Sequence, residues 1–182
     1  TFPSSDARFA GEAGALRRQA ISKAINREEV TDKIFNGTRT PAKDFSSPTM
    51  PGWKGDIAGS DVLTFDPEGA KKLWAEAEAI EPWTGKFEIA YNGDGGHQAW
   101  VDAVVNQIKN NLGIEAEGKA YATFDELRTD VTERTIKTTF RTGWQPDYPS
   151  IFNYLQPLYQ TGAGSNDGDI SNADYDAARK KS

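Results

Sequence analysis

Residues 86 to 121 carry the pattern that most constrains this chain: an alternating segment, Lys86 to Tyr91, a Gly-rich turn, a long amphipathic stripe, and a second extended segment from Ile114 to Tyr121. Within the stripe Trp100, Val101, Val104, Val105, Ile108 and Leu112 recur at helical spacing. Gly113 stands where a helix ends in the left-handed conformation. A strand, a helix and a strand in that order cannot close as a hairpin, so the helix must cross over and leave the two strands parallel.

The pattern continues downstream. Thr123 to Glu126 is a Thr-x-x-Glu capping box that opens a short helix with Leu127 and Val131 inward, and Ile136 to Trp144 reads as a third strand. The expected fold is therefore α/β, in three layers, with a mostly parallel central sheet flanked by helices. Ligands of such sheets gather at the carboxyl ends of the strands, which singles out the loops after Tyr91 and after Trp144.

Upstream, Thr1 to Glu12 reads as an extended lead-in, and from Gly14 Leu16, Ala20, Ile21, Ala24 and Ile25 follow helical spacing. Asn26 and Glu29 resemble a cap for a second helix carrying Val30, Ile34 and Phe35, with Gly37 as its stop. Residues 38–65, rich in Pro, Gly, Ser and Asp, read as a long surface loop, and loops of that length are usually functional. Asp66-Pro67-Glu68 then starts a helix expected to reach about Ala79. Near the end, Ile151, Phe152, Leu155, Leu158 and Tyr159 suggest a short helix interrupted near Pro157, followed by a Gly, Asn and Asp-rich stretch to Asp169 and a polar tail.

The whole chain, residues 1–182, is expected to hold one core. Apolar residues make up 37%, to which 17 Gly add the usual complement of small residues. The 21 Lys and Arg against 27 Asp and Glu give a net charge of -6, the wrong sign for neutralising phosphates, so neither nucleic acid nor an anionic membrane is an expected partner. The absence of Cys excludes disulfides, thiolate metal sites and a cysteine nucleophile, and no window approaches the about 18 apolar residues of a membrane span. The sequence shows no leader segment, and a soluble piece lacking its signal peptide is expected.

Motifs for chemistry are sparse. His97 is the only histidine and no Gly-x-Ser-x-Gly elbow accompanies it, so it reads as an exposed residue beside a helix start. Asp167-Gly168-Asp169 lacks calcium-loop spacing and reads as a flexible acidic turn; neither a metal nor a cofactor is expected. Gly93-Asp94-Gly95-Gly96 matches no phosphate loop, though Asn92 and the amides from Gly93 onward could bind a neutral polar ligand. Asp94 and Asp147 at strand ends would be the carboxylate pair of a glycosidase, the enzymatic alternative. In Thr142 to Pro149 (TGWQPDYP) an aromatic wall precedes an acid set between two prolines. A partly desolvated carboxylate there would favour an ammonium partner. The competing reading places Trp144 in the core and makes Asp147 a cap for a helix starting near Pro149.

Several segments, in order along the chain, resemble the oligopeptide and dipeptide substrate-binding proteins of ABC importers. Leu16 to Val30 (LRRQAISKAINREEV) is similar to that family's "LRQALSYAIDREEI", and Phe35 to Ala42 (FNGTRTPA) to "NGxAxPA". Pro48 to Gly52 resembles its "P-x-x-P-G" loop, Asp66 to Leu73 (DPEGAKKL) its "DPEKAKKLL" helix, and Gly143 to Pro149 (GWQPDYP) its "GWxADYPDP". Asn166 with Tyr175-Asp176 resembles its tail. Pro146 and Ser150 depart from the pattern, where Ala and an acid are usual.

The resemblance implies a periplasmic-binding-protein-like lobe, the later of the two lobes of a larger bilobal binder that closes on its ligand. It implies an extracytoplasmic, periplasmic or lipid-anchored protein that is not an enzyme. Such a protein would be monomeric, capture peptides and deliver them to ABC permease subunits, touching the membrane only through an anchor outside this segment. Asp147 would pair with a peptide's free α-amino group and Trp144 would line a side-chain pocket. A sugar cargo would instead use Trp144, Trp53 and Tyr148 as stacking surfaces, and a nickel complex would call on His97.

Overall fold

The strand Phe87–Asn92 (β1) forms the middle of a three-stranded sheet, with Ala116–Tyr121 (β2) on one side and Thr139–Phe140 (β3) on the other. Both pairings are parallel, with Phe87 opposite Ala116 and Ile89 opposite Thr139. The two-residue periodicity of β1 sends Phe87, Ile89 and Tyr91 to one face and Ala90 to the other, and each face has its own helical cover. The chain is described over residues 1–181 of a computed structural model.

On the Tyr91 face lies Gln98–Leu112 (α4), which buries Val101, Val104, Val105 and Ile108, each contributing about 1.5–3 kcal/mol by leaving water. Gly113 ends it at φ 69, the left-handed cap its sequence position suggests. Behind α4, Gly11–Lys23 (α1) packs along Pro67–Ile80 (α3), and Ala20, Ile21 and Trp74 complete this larger core. Between these two in chain order, Arg27–Lys33 (α2) is capped by Asn26, whose side chain accepts from Glu29 N. Asp66 does the same for α3 through Gly69 N, with Pro67 at the first helical position. The opposite face is covered by Phe124–Thr132 (α5), whose Leu127 and Val131 pack with Ile136 and Phe140. Helix, sheet and helix are the three layers the sequence implies. Between α2 and α3 the only regular structure is a short 3-10 turn, Ser60–Leu63.

Five segments depart from their sequence reading. The lead-in is folded: Asp6 caps a 3-10 turn at Ala7–Phe9, Phe9 is buried, and α1 begins at Gly11, so an aspartate cap outweighs the breakers around it. The second helix stops at Lys33, because Asn36 turns left-handed at φ 50 before Gly37 does. The third strand pairs only at Thr139 and Phe140, extended by Arg141 N donating to Ala90 O at 2.8 Å. Past Asn92 the neighbouring strand coils into a 3-10 turn at Gly93–Gly95, which leaves Thr142 to Trp144 without a ladder partner. Pro157 does not interrupt its helix, Phe152–Tyr159 (α6); it lies inside it and only denies the Asn153 carbonyl a helical donor. The polar tail forms Ala173–Lys180 (α7), capped by Asn172 and tied to α6 by Tyr175 Oη donating to Leu155 O at 2.7 Å.

Candidate functional site

The carboxyl end of the sheet is assembled from the loops that follow its three strands. After β1, Asn92 is 4% exposed; its Nδ2 donates to Asp94 Oδ1 at 2.6 Å and its Oδ1 accepts from Arg141 Nη1 at 3.4 Å. The other Asp94 oxygen accepts from Phe124 N at 3.2 Å, so this carboxylate joins the β1 loop to the first turn of α5. The bonds from Asn92 and then Phe124 hold its pKa below the usual carboxylate value, which keeps it an anion and makes it a poor general acid. Gly93 is exposed beside Tyr121, whose carbonyl would lie 3.3 Å from an added Cβ.

After β3 the chain runs irregularly from Arg141 to Ser150. Trp144 is half-buried and belongs to neither core cluster; its Nε1 donates to Asn153 Oδ1 at 3.2 Å. Asp147 N donates to the same oxygen at 2.9 Å. Asn153, 5% exposed in the first turn of α6, thus holds both ends of the Trp-Gln-Pro-Asp turn. The Asp147 carboxylate is exposed and has no partner among the described residues, so the desolvation expected from sequence is not present. Nor does Asp147 cap α6: Phe152 N is taken by Ser150 Oγ at 3.2 Å.

Trp144 is a wall shared by two cavities. One, of about 770 Å³, is closed on its far side by residues 38–49, where Phe45 meets the Tyr159 ring edge-on at 5.7 Å. The other, of about 420 Å³, places Arg128, Arg141 and Gln145 around the indole. Gly143 leaves room there, since a Cβ at that position would lie 3.0 Å from Arg141 Nη2. Burial lowers the Arg141 pKa without depriving it of charge, so a half-buried cation faces the same space as the indole. Tyr148, 48% exposed, opens instead on a third cavity of about 460 Å³, lined by Asn153, Gln156, Gln160 and small residues and free of charged groups. The structure therefore joins Asn92 to Arg141, sets Arg141 beside the Trp144 indole, ties Asp147 to Trp144 through Asn153 although Asp147 lines neither of the Trp144 cavities, and turns Tyr148 elsewhere.

Two sequence readings change here. His97 is half-buried rather than exposed: its Nδ1 accepts from Trp100 Nε1 at 3.0 Å, and burial lowers its pKa. Asp167-Gly168-Asp169 is an ion-paired junction, with Arg128 on Asp167 at 2.7 Å and Arg134 on Asp169 at 2.9 Å. Among the described residues no group of His, Asp or Glu is arranged to hold a metal. Sequence reasoning missed Arg141 and Asn153. The first falls within the segment read as the third strand and the second within the short helix before Pro157, and no local pattern marks either.

Residues 15–166 match the family described as bacterial extracellular solute-binding proteins, family 5, over its middle region. The oligopeptide-binding protein OppA of Bacillus subtilis is 24% identical over 87% of this chain and 29% of its own length. Heme-binding protein A of Haemophilus influenzae is 23% identical over 88% of this chain and 29% of its own length. Listeria monocytogenes OppA bound to peptide superposes with a TM-score of 0.80 at 21% identity, over 99% of this chain and 36% of that one, a likeness of fold. The chain thus spans about a third or less of these proteins. It belongs to the family 5 bacterial extracellular solute-binding proteins.

Proposed function

We propose that this chain is one lobe of a two-lobed, extracytoplasmic substrate-binding component of an ABC importer, that its cargo is peptide, and that it binds without chemistry. The observation that carries the reading is the pairing beyond β3: an exposed carboxylate, unpartnered among the described residues, at Asp147, whose backbone N–H shares the Asn153 oxygen with the Trp144 indole. A free α-amino group is the complement of such an acid, and the aromatic wall suits the side chain next to it. Arg141 adds donors for peptide carbonyl oxygens in the same space. Asn92 is committed to Asp94 and Arg141, so its role is to place that guanidinium, while Gly93 offers its backbone at the rim. Family membership supports solute binding but leaves cargo open, as relatives named for oligopeptide and for heme illustrate.

The test is calorimetric titration of the intact protein with one short peptide, presented with a free amine and again acetylated. Binding of the free form alone, with the preference removed in Asp147→Asn, is the expected result. Equal binding of both forms, or of neither, defeats the amine-anchoring reading. Closure of a two-lobed binder draws energy from both faces, so the isolated 182-residue piece is expected to bind far more weakly than the intact protein.

A further inference from the structure

Residues 142–147 carry the indole and the acid of the candidate site, yet they are nearly untethered. No sheet ladder reaches them, and Pro146 has no N–H to give. Every hydrogen bond they make among the described residues ends on one atom, Asn153 Oδ1, which accepts from Trp144 Nε1 and from Asp147 N. Asn153 is itself well placed to be a fixed point. It is 5% exposed, its own N donates to Ser150 O at 3.0 Å, and α6 carries it as a rigid element. Both hydrogen bonds that its side-chain oxygen accepts come from this turn.

We propose that Asn153 is a positioning residue for ligand binding: its side-chain oxygen sets the spacing between the Trp144 wall and the Asp147 acid before any ligand arrives. This rests on the amine-anchoring reading above. A single acceptor shared by two donors fixes two groups relative to each other as well as to the scaffold, which reduces the ordering cost of binding. An amide suits the task because it accepts without charge. Asp147 then remains the only anion of the turn. Without the Asn153 oxygen the indole N–H and the Asp147 N–H would turn to water, and the turn would sample other conformations.

The experiment compares Asn153→Leu, which keeps much of the volume and removes the acceptor, with Asn153→Asp, which keeps an oxygen; Asn153→Ala serves if the leucine variant does not fold. Two readouts are taken on the intact protein. The first is hydrogen exchange of the Trp144 indole N–H by NMR without ligand, expected to be slow in the wild type and in Asn153→Asp and about tenfold faster in Asn153→Leu. The second is the ratio of affinities for a free-amine and an acetylated peptide, expected to fall by about tenfold in Asn153→Leu; Asn153→Asp is read by exchange alone, because its added charge gives an ammonium a second partner. Unchanged exchange and an unchanged ratio in a folded Asn153→Leu protein overturn the proposal. A wild type that does not distinguish the two peptides defeats the amine-anchoring reading instead, and the exchange measurement still decides whether Asn153 holds the turn.

Discussion

Arg134 and Asp169 meet in a two-point ion pair, Nε to Oδ2 and Nη2 to Oδ1, each at 2.9 Å, and both residues have left-handed backbone, at φ 59 and φ 51. The pair fastens the end of α5 to the segment after α6. For a side chain with Cβ this conformation costs roughly 1–2 kcal/mol per residue, more than a half-exposed ion pair returns.

Arg134→Gly and Arg134→Ala both delete the pair, but only glycine relieves the backbone. The alanine variant should therefore be less stable than the glycine variant by about 1 kcal/mol in urea unfolding. Equal midpoints for the two would show that φ at this position carries no cost.

Asp169 also gives the chain a defined acid response. The bonds from Arg134, and then the one from Ser4, hold its folded pKa below the unfolded value of about 4. Its contribution is then complete above about pH 4 and is lost as pH falls through the folded pKa, because the unfolded state takes up the proton first. The stability gap between wild type and Asp169→Asn should be constant near neutrality and close progressively below about pH 4. A gap that persists undiminished at the lowest pH would remove the carboxylate from the explanation.

His97 titrates against its surroundings in the same direction. Burial and then the Arg141 charge lower its pKa, and its Nδ1 must be unprotonated to accept from Trp100. For a histidine the lowered folded value means that stability is fullest above the ordinary value of about 6.5 and is lost as pH falls through the folded one. NMR titration should place His97 below about 6.5, and the Trp100 indole N–H resonance should move over the same range. An indole signal that stays fixed while His97 protonates would exclude the bond.

Gly14 lies inside α1, where alanine normally improves a helix by about 1 kcal/mol. Here an added Cβ would run into the backbone carbonyl of Phe9, which cannot yield as a side-chain tip would. Gly14→Ala is expected to lose about 1–3 kcal/mol, while Gly164→Ala, with open space around it, should change little. Calorimetric melting of the two variants separates these outcomes, and a stabilised Gly14→Ala would refute the close approach.

The layered α/β core was legible because its signals are local. The stripe from Val101 to Ile108, the caps at Asn26, Asp66 and Thr123, and the left-handed Gly113 each specify their element within a few residues. Segments whose conformation depends on a distant partner were misread. Ile136 to Trp144 is rich in β-branched and aromatic residues, but only β1 decides where pairing stops, and β1 turns away after Asn92. In the Asp167 to Asp169 turn the composition suggests mobility, and arginines more than 30 residues away in sequence impose order.

The site divides along the same line. Sequence alone marked Trp144 and Asp147 as a unit, since an indole and an acid three residues apart, hemmed by prolines, are a local pattern. Only the tertiary structure supplied the oxygen of Asn153 that joins them, the Arg141 cation beside the indole, and residues 38–49 as the wall across from it. Those contacts lie across a chain reversal or between separate layers. Short-range backbone preferences decide which elements form, whereas the packing of those elements decides which polar groups meet.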